Sequence, residues 1–287
     1  MQTFEKILFP VDLSDNCTAT APFVEALAKK FNAELTLMHV LEIPPAYFTD
    51  WYGYISLVDT QAIRDARQGE FDQYLKDRFA GLHVQRILEE GDPSRIITKF
   101  AEEHATDLIM LPTHGYGIFR SLLLGSVTAK VLHDALCPVW TAVHVENAPP
   151  ATASFERIMC AVDLTDSSIA TMRFASQLAR DFNAKLWLVH AVPAPEAGPE
   201  RYFDSDLQKF LEEDARKTIG KMQEAAGIAA QLCVGAGEVA HVVREAATHH
   251  NADLVITGRG HSIRTLGRLR TNVYAIIRQS PCPVISV

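Results

Sequence analysis

Cysteine is scarce in this chain. Of its 287 residues only Cys17, Cys137, Cys160, Cys233 and Cys282 are cysteines, odd in number and without a C-x-x-C pair. That excludes a disulfide framework or zinc knuckle and fits a reducing compartment. In an apolar run such a thiol packs as a small hydrophobe. No stretch of about 18 apolar residues is present, so no membrane span and no membrane partner are expected. Positive charge does not dominate: 27 Lys and Arg against 35 Asp and Glu leave a formal charge of −8. A nucleic-acid binder would normally carry a basic face, so nucleic acid is not an expected partner. Met1 to Phe9 lacks the basic start and apolar run of a leader, and the expected location is the cytoplasm. The enzyme signatures are missing too. There is no G-x-x-x-x-G-K-[ST] phosphate loop and no G-x-S-x-G elbow. Gly258-x-Gly260 lacks the third glycine of a dinucleotide fingerprint and follows a late strand. No catalytic residue is assigned.

Apolar residues make up 48% of the chain, enough for an ordinary globular core. The strongest signal is a repeat. Laid over Ile158–Ala191 at a constant offset of 151, Ile7–Val40 is identical at sixteen of 34 positions. Val11-Asp12-Leu13-x-Asp15 matches Val162-Asp163-Leu164-x-Asp166, and Leu35-x-Leu37-x-His39 matches Leu186-x-Leu188-x-His190. Further on, Thr106-Asp107-Leu108-Ile109 echoes Ala252-Asp253-Leu254-Val255, and Cys137-Pro138-Val139 echoes Cys282-Pro283-Val284. Glu146–Ser154, rich in Pro, Ala and Thr, reads as a linker. Two domains follow, over residues 1–146 and 155–287.

Each half alternates short apolar runs with helical stretches. In the first, Lys6–Val11, Glu34–Val40, His83–Leu88, Asp107–Leu111 and Pro138–His144 read as strands. Helices are expected from Ser14 and Asp15 to about Phe31, over Gln61–Phe79, from Gly91-Asp92-Pro93-Ser94 to about Glu103, and over Val127–Ala135. Such alternation implies an α/β fold, two domains each with a five-stranded parallel sheet and helices on both faces. Ligands of such sheets bind beyond the carboxyl ends of the strands, where the strand order reverses. In the first half that region holds Pro112-Thr113-His114-Gly115 and, ten residues after Gly115, Gly125-Ser126-Val127 opening a helix. Glycine lets the backbone approach a phosphate, and free N–H groups at a helix start favour an anion. Taken alone, these glycines serve equally well as turn and helix-start residues.

The motifs together carry a resemblance. Ile7-Leu-Phe-Pro-Val-Asp12, Leu37-Met-His-Val40, Gly91-Asp-Pro93, Thr113-His-Gly115, Leu124-Gly-Ser-Val127 and Cys137-Pro-Val139 are similar to the universal stress protein family, over essentially the whole length and twice. The resemblance implies two Rossmann-like domains arranged as a pseudo-dimer through their last strands, with a homodimer as the further assembly. It implies an adenine nucleotide, ATP, in the first domain only. The pocket would be Pro10, Val11, Asp12 and Val40, the phosphates would lie on Gly115, Gly125, Ser126 and Val127, and Mg2+ would lie near Asp12. Hydrolysis would be slow at most.

Two departures bear on this. Pro112 replaces the family's first glycine and removes one N–H donor. In the second half Gly258 stands at the first glycine, His261 at the second, and Thr271-Asn272 where the first half has Gly125-Ser126, so the second site reads as degenerate. Arg259, Arg264, Arg268 and Arg270 surround it, and they suit surface ion pairs with the many acids or an anionic ligand. His39 and His190 read as core histidines, His249-His250 as a helix end, and Tyr47–Tyr54 as a segment packing on its own domain. The other function class is an interaction protein that needs no nucleotide and uses its altered loops for partner contact.

Overall fold

A computed structural model describes residues 3–42, 47–49, 55–57, 59–113, 124–142, 154–194, 201–259 and 268–287. The chain divides into two compact units, Met1–Val139 with His144–Ala153, and Trp140–Val143 with Ser154–Val287, so that the strand Val139–Ala142, beyond its first residue, groups with the second unit.

In the first unit β1 (Lys6–Pro10) leads through a tight loop into α1 (Asp15–Phe31), and β2 (Glu34–Leu41) follows. A small antiparallel hairpin, β3 (Tyr47–Thr49) and β4 (Ile55–Leu57), lies within the aromatic stretch and was not legible as strand from sequence. Then come α2 (Thr60–Gln73), β5 (Val84–Glu90), α3 (Pro93–Glu103), β6 (Leu108–Pro112), α4 (Ser126–Asp134) and β7 (Val139–Ala142). The strand order within this unit is β6-β1-β2-β5. β1, β2, β5 and β6 pair parallel. β1 and β6 are buried along nearly their whole length, the mark of strands covered on both faces.

Local chemistry sets the element ends. Ser14 caps α1 by accepting the Cys17 N–H, and Asn32 closes it in the left-handed conformation at φ 47°. The expected helix over Gln61–Phe79 stops six residues early. Tyr74 leaves helical geometry and Leu75 sits at φ 52°. The freed carbonyls of Phe71 and Tyr74 are taken by the Arg86 guanidinium, each at 2.8 Å. A long-range arginine thus sets this terminus, which helical periodicity cannot reveal.

The second unit repeats the plan: β8 (Arg157–Ala161), α5 (Ser167–Phe182), β9 (Lys185–Val192), α6 (Arg201–Ala226), β10 (Gln231–Ala236), α7 (Val239–His249), β11 (Leu254–Thr257), α8 (Arg268–Gln279) and β12 (Val284–Ser286). Its order is β10-β9-β8-β11-β12, all parallel. Details recur. Asp107 accepts the N–H groups of Glu5 and Lys6 at 2.8 and 2.9 Å, and Asp253 those of Glu156 and Arg157 at the same distances. Gly91 and Gly237 turn the chain alike, at φ 138° and 139°, a region closed to other residues. The register also fixes the equivalence of later residues. Ile7 faces Leu108 in the first unit and Ile158 faces Leu254 in the second, so positions after β6 align at an offset of 146.

Candidate functional site

In each unit the chain leaves the first strand to one side for the second and third, then crosses back to place the fourth on the other side. That reversal opens a crevice at the carboxyl ends of β1 and β6, and of β8 and β11. In the first unit Pro10 faces Met38 and Leu8 faces Ile109. Pro10, Val11, Asp12, Val40 and Pro112 therefore gather at one end of the sheet.

Two bonds tie the strand ends together there. The Val11 N–H donates to Met38 O at 2.8 Å. His39 Nδ1 donates to Val11 O at 2.7 Å, since a carbonyl can only accept. His39 is buried and its Nε2 has no hydrogen-bond partner among the described residues. Desolvation pushes its pKa below the ordinary histidine value despite the Val11 bond, so the ring stays neutral at pH 7. It is a strand clamp, and the same clamp is built in the second unit by His190 on Val162 O at 2.8 Å.

Asp12 is half-buried. Its Oδ1 accepts the Ser14 N–H at 3.0 Å and the Cys17 thiol at 3.1 Å, a turn of the Asx kind. Its Oδ2 has no hydrogen bond among the described residues. Burial first, then the Asp12 charge, pushes the Cys17 thiol far up, so it does not ionise. The next residue, Leu13, sits at φ 64°, and its equivalent Leu164 at φ 61°. A β-branch-free but bulky residue held twice in the left-handed region marks an over-determined turn beneath the crevice.

The other wall is the start of α4. Gly125 is its N-cap at φ −57° and ψ 143°, and no side chain caps the helix. The N–H groups of Ser126, Val127 and Thr128 are the unsatisfied first-turn donors, and Ser126 is exposed. The loop ends are pinned: Gly125 N–H donates to Thr113 O at 2.9 Å, and Thr128 Oγ1 to Pro112 O at 3.0 Å. Pro112 ends β6 and contributes its carbonyl here. Thr128 was not singled out from sequence; its only signal is a hydroxyl two residues into the helix. Gly115, His114, His261 and Arg264 lie outside the described residues.

The second unit differs in one decisive respect. Its equivalent of Ser126 is Asn272, but α8 begins at Arg268, about one turn earlier. By Asn272 the helix is past its first turn, and the amides of Asn272, Val273 and Tyr274 bond within it, to carbonyls four residues back. Donors that are free at Ser126–Thr128 are consumed at the matching place. The sequence signal is Gly125 against Thr271: glycine resists the helical conformation, and Arg268-Leu-Arg-Thr271 does not. Arg268 and Arg270 fall in the first turn of α8, and Arg259 N–H donates to Val287 O at 2.8 Å.

The second crevice keeps a cavity of about 180 Å³. Asp163, Ser168, Thr171, His190 and Asn272 line its polar part, and Val162, Val239, Val273 and Ile276 its apolar part. Burial works against the Asp163 charge, but hydrogen bonds from Ser168 and Thr165 outweigh it and hold the carboxyl below the usual range. Gly258 is required by packing: a Cβ there would stand 2.9 Å from Thr171 Oγ1. Neither Thr171 nor Val239 was anticipated from sequence.

The sequence model described as "Universal stress protein family" matches residues 3–142 and again 154–287. A universal stress protein of Methanocaldococcus jannaschii is 30% identical over 137 residues, covering 47% of this chain and 80% of that one. Another, from Synechocystis sp., is 32% identical over 137 residues, covering 47% and 83%. Among solved structures, a universal stress protein from Archaeoglobus fulgidus superposes with a TM-score of 0.69 at 22% identity, covering 99% of this chain and 96% of that one. One from Pseudomonas aeruginosa gives 0.63 at 17% identity, covering 100% and 94%. Both support the tandem α/β fold.

Proposed function

The chain belongs to the universal stress protein family through both of its halves, and from that premise we propose that it is a cytoplasmic stress-response module binding ATP in the first unit and not in the second. The observation that carries this reading is the uncapped start of α4. Three backbone donors stand there without partners among the described residues, at the carboxyl end of a sheet whose strands end in Pro10, Val11, Asp12 and Val40. Such a helix start is suited to phosphate. In the second unit the matching amides are inside a helix.

Asp12 fits a magnesium ion to the extent that one hard carboxylate oxygen, Oδ2, is unengaged. Mg2+ is commonly held by one or two carboxylates together with the phosphates of its nucleotide. The ion would screen Asp12 from the phosphate tail. The sequence offers no activated base, so hydrolysis is slow at most.

The test uses the freshly purified full chain. Released nucleotide, measured by chromatography after denaturation, is expected near one adenine nucleotide per chain, and ATP with magnesium is expected to raise the melting temperature. Gly125→Val should abolish that rise. Gly125 has an ordinary φ of −57° that valine can adopt, and an unchanged melting temperature without nucleotide would show that the loss reads the site rather than the fold. A blank release together with no ATP-dependent shift would favour the nucleotide-independent interaction protein.

A further inference from the structure

A thiol and an imidazole meet in the second unit, at the far end of α7 from the crevice, and nucleotide binding does not use them. Cys233 lies on β10, at the edge of its sheet, and is half-buried. His250 closes α7 as its C-cap, and its backbone N–H donates to Ala246 O at 3.0 Å. Cys233 Sγ stands 3.2 Å from His250 Nε2, a separation that suits direct proton transfer. The His250 ring stacks on Trp187 of β9 with centroids 5.2 Å apart, and His249 meets it at right angles, 4.8 Å away. Trp187 is buried, and its indole Nε1–H has no hydrogen-bond partner among the described residues.

The pair is not part of the common scaffold. Strand register puts Thr36 and Ile87 of the first unit where the second has Trp187 and Cys233. His104 holds the place of His250, counted from Gly91 and Gly237. It folds back on its own helix: its ring stacks on Phe100 at 3.8 Å, and its Nδ1 donates to Phe100 O at 3.0 Å. The match of Phe100 is Ala246. With no ring on α7 to stack on, His250 packs on the sheet instead and reaches the thiol.

Electrostatics set the resting state. Burial pushes the Cys233 thiol pKa up, with the Arg216 guanidinium of α6 working against it. Burial, then the neighbouring His249, pushes His250 below its ordinary 6.5. At pH 7 the proton therefore sits on sulfur and the imidazole is neutral, the state a general base needs. A thiol so placed is activated by its base at the moment of attack. We propose that Cys233 and His250 form a peroxide-reactive pair, in which a small hydroperoxide oxidises Cys233 to its sulfenic acid. Sulfur attacks one peroxide oxygen, so that an S–O bond forms and the O–O bond breaks. The thiol proton passes to His250 Nε2 and on to the departing oxygen, which leaves as water or an alcohol. Sulfur gives up two electrons and the peroxide takes them, and an added thiol reverses the change. Hydrogen peroxide is small enough to reach a half-buried sulfur. This goes beyond ATP binding in the first unit and does not depend on it.

The experiment treats the reduced full-length chain with hydrogen peroxide, traps sulfenic acid with dimedone and locates the label by peptide mass spectrometry. Cys233 is expected to label first. Cys137, also half-buried, is the internal control, and burial holds Cys160 and Cys282 up at about 12. His250→Phe keeps a ring against Trp187 but removes the base, and should slow labelling of Cys233 at pH 7 by about tenfold or more. In the wild type the rate should be level between pH 7 and pH 8, where neither partner changes protonation. In His250→Phe it should climb about tenfold per pH unit, following the scarce thiolate. If His250→Phe lowers the melting temperature, the wild-type pH profile carries the test, with Cys233→Ser as its blank. The proposal is overturned if Cys233 labels no faster than Cys137, if His250→Phe leaves the rate unchanged, or if the wild-type rate climbs with pH as a free thiolate's does.

Discussion

The two halves agree wherever the sheet is held together and part company at one turn of helix. The histidine clamps at His39 and His190, the aspartate clasps at Asp107 and Asp253, and the glycine turns at Gly91 and Gly237 superimpose almost atom for atom in role. The starts of α4 and α8 do not, because one follows a glycine and the other a run of helix formers. Duplication has kept the scaffold, and the two units differ at the place where backbone amides are either presented or consumed.

The largest test of that equivalence is in the cores. Leu37 and Leu188 occupy the same position on β2 and β9, and both are 0% exposed. Truncating either to alanine should cost about 2–5 kcal/mol, the lost burial plus the cavity left behind. Urea unfolding of Leu37→Ala and Leu188→Ala should show comparable losses. A loss in one variant and none in the other would break the parallel between the two scaffolds.

A smaller effect separates the two histidines. His39 is buried with a pKa below its ordinary 6.5, whereas His190 is half-buried. Below pH 6.5 the unfolded chain takes up a proton that native His39 refuses, so stability is present above that pH and falls as the solution is acidified through it. The urea midpoint should therefore drop between pH 7.5 and pH 5.5. His39→Gln should lessen the drop, and an unaltered pH dependence in that variant would remove His39 as its cause.

Much of this was legible in the sequence, for physical reasons. Strand and helix alternation follows from apolar runs and caps acting over neighbouring residues, so β1, β2, α1 and α3 fall within a residue or two of expectation. The repeat carried the second unit with it. What failed was non-local. The end of α2 is set by Arg86 from another strand, and the β3–β4 hairpin lies in an aromatic stretch without clear alternation. At the candidate site, Asp12, Val40 and Gly125 are proposed because motifs name them. The early start of α8 could not, since the absence of a glycine at position 271 signals nothing until the register of β11 against β8 fixes which residues correspond. The cavity at Thr171 was invisible for the same reason: a threonine in a helix is unremarkable until Gly258 is brought against it.

The smallest expected difference lies at the helices that follow Gly91 and Gly237, and it inverts the usual assumption that matched positions do matched work. Asp92 caps α3: its Oδ1 accepts the Arg95 N–H at 2.9 Å and the Ser94 hydroxyl, and Lys130 lies 3.4 Å from Oδ2. Those hydrogen bonds, the Ser94 hydroxyl foremost, lower its pKa from 3.8 to about 2. Glu238, at the same place before α7, makes no side-chain cap bond, because its longer chain does not fold back onto the first turn as aspartate does. Asp92→Ala should therefore destabilise the chain modestly and Glu238→Ala hardly at all. The Asp92 contribution is present above pH 3.8 and fades as the pH falls towards 2, so the gap between the two variants should close in acid. Paired thermal melts at pH 7 and pH 3 measure it, and equal losses from the two alanines at pH 7 would mean that α3 owes nothing to its cap.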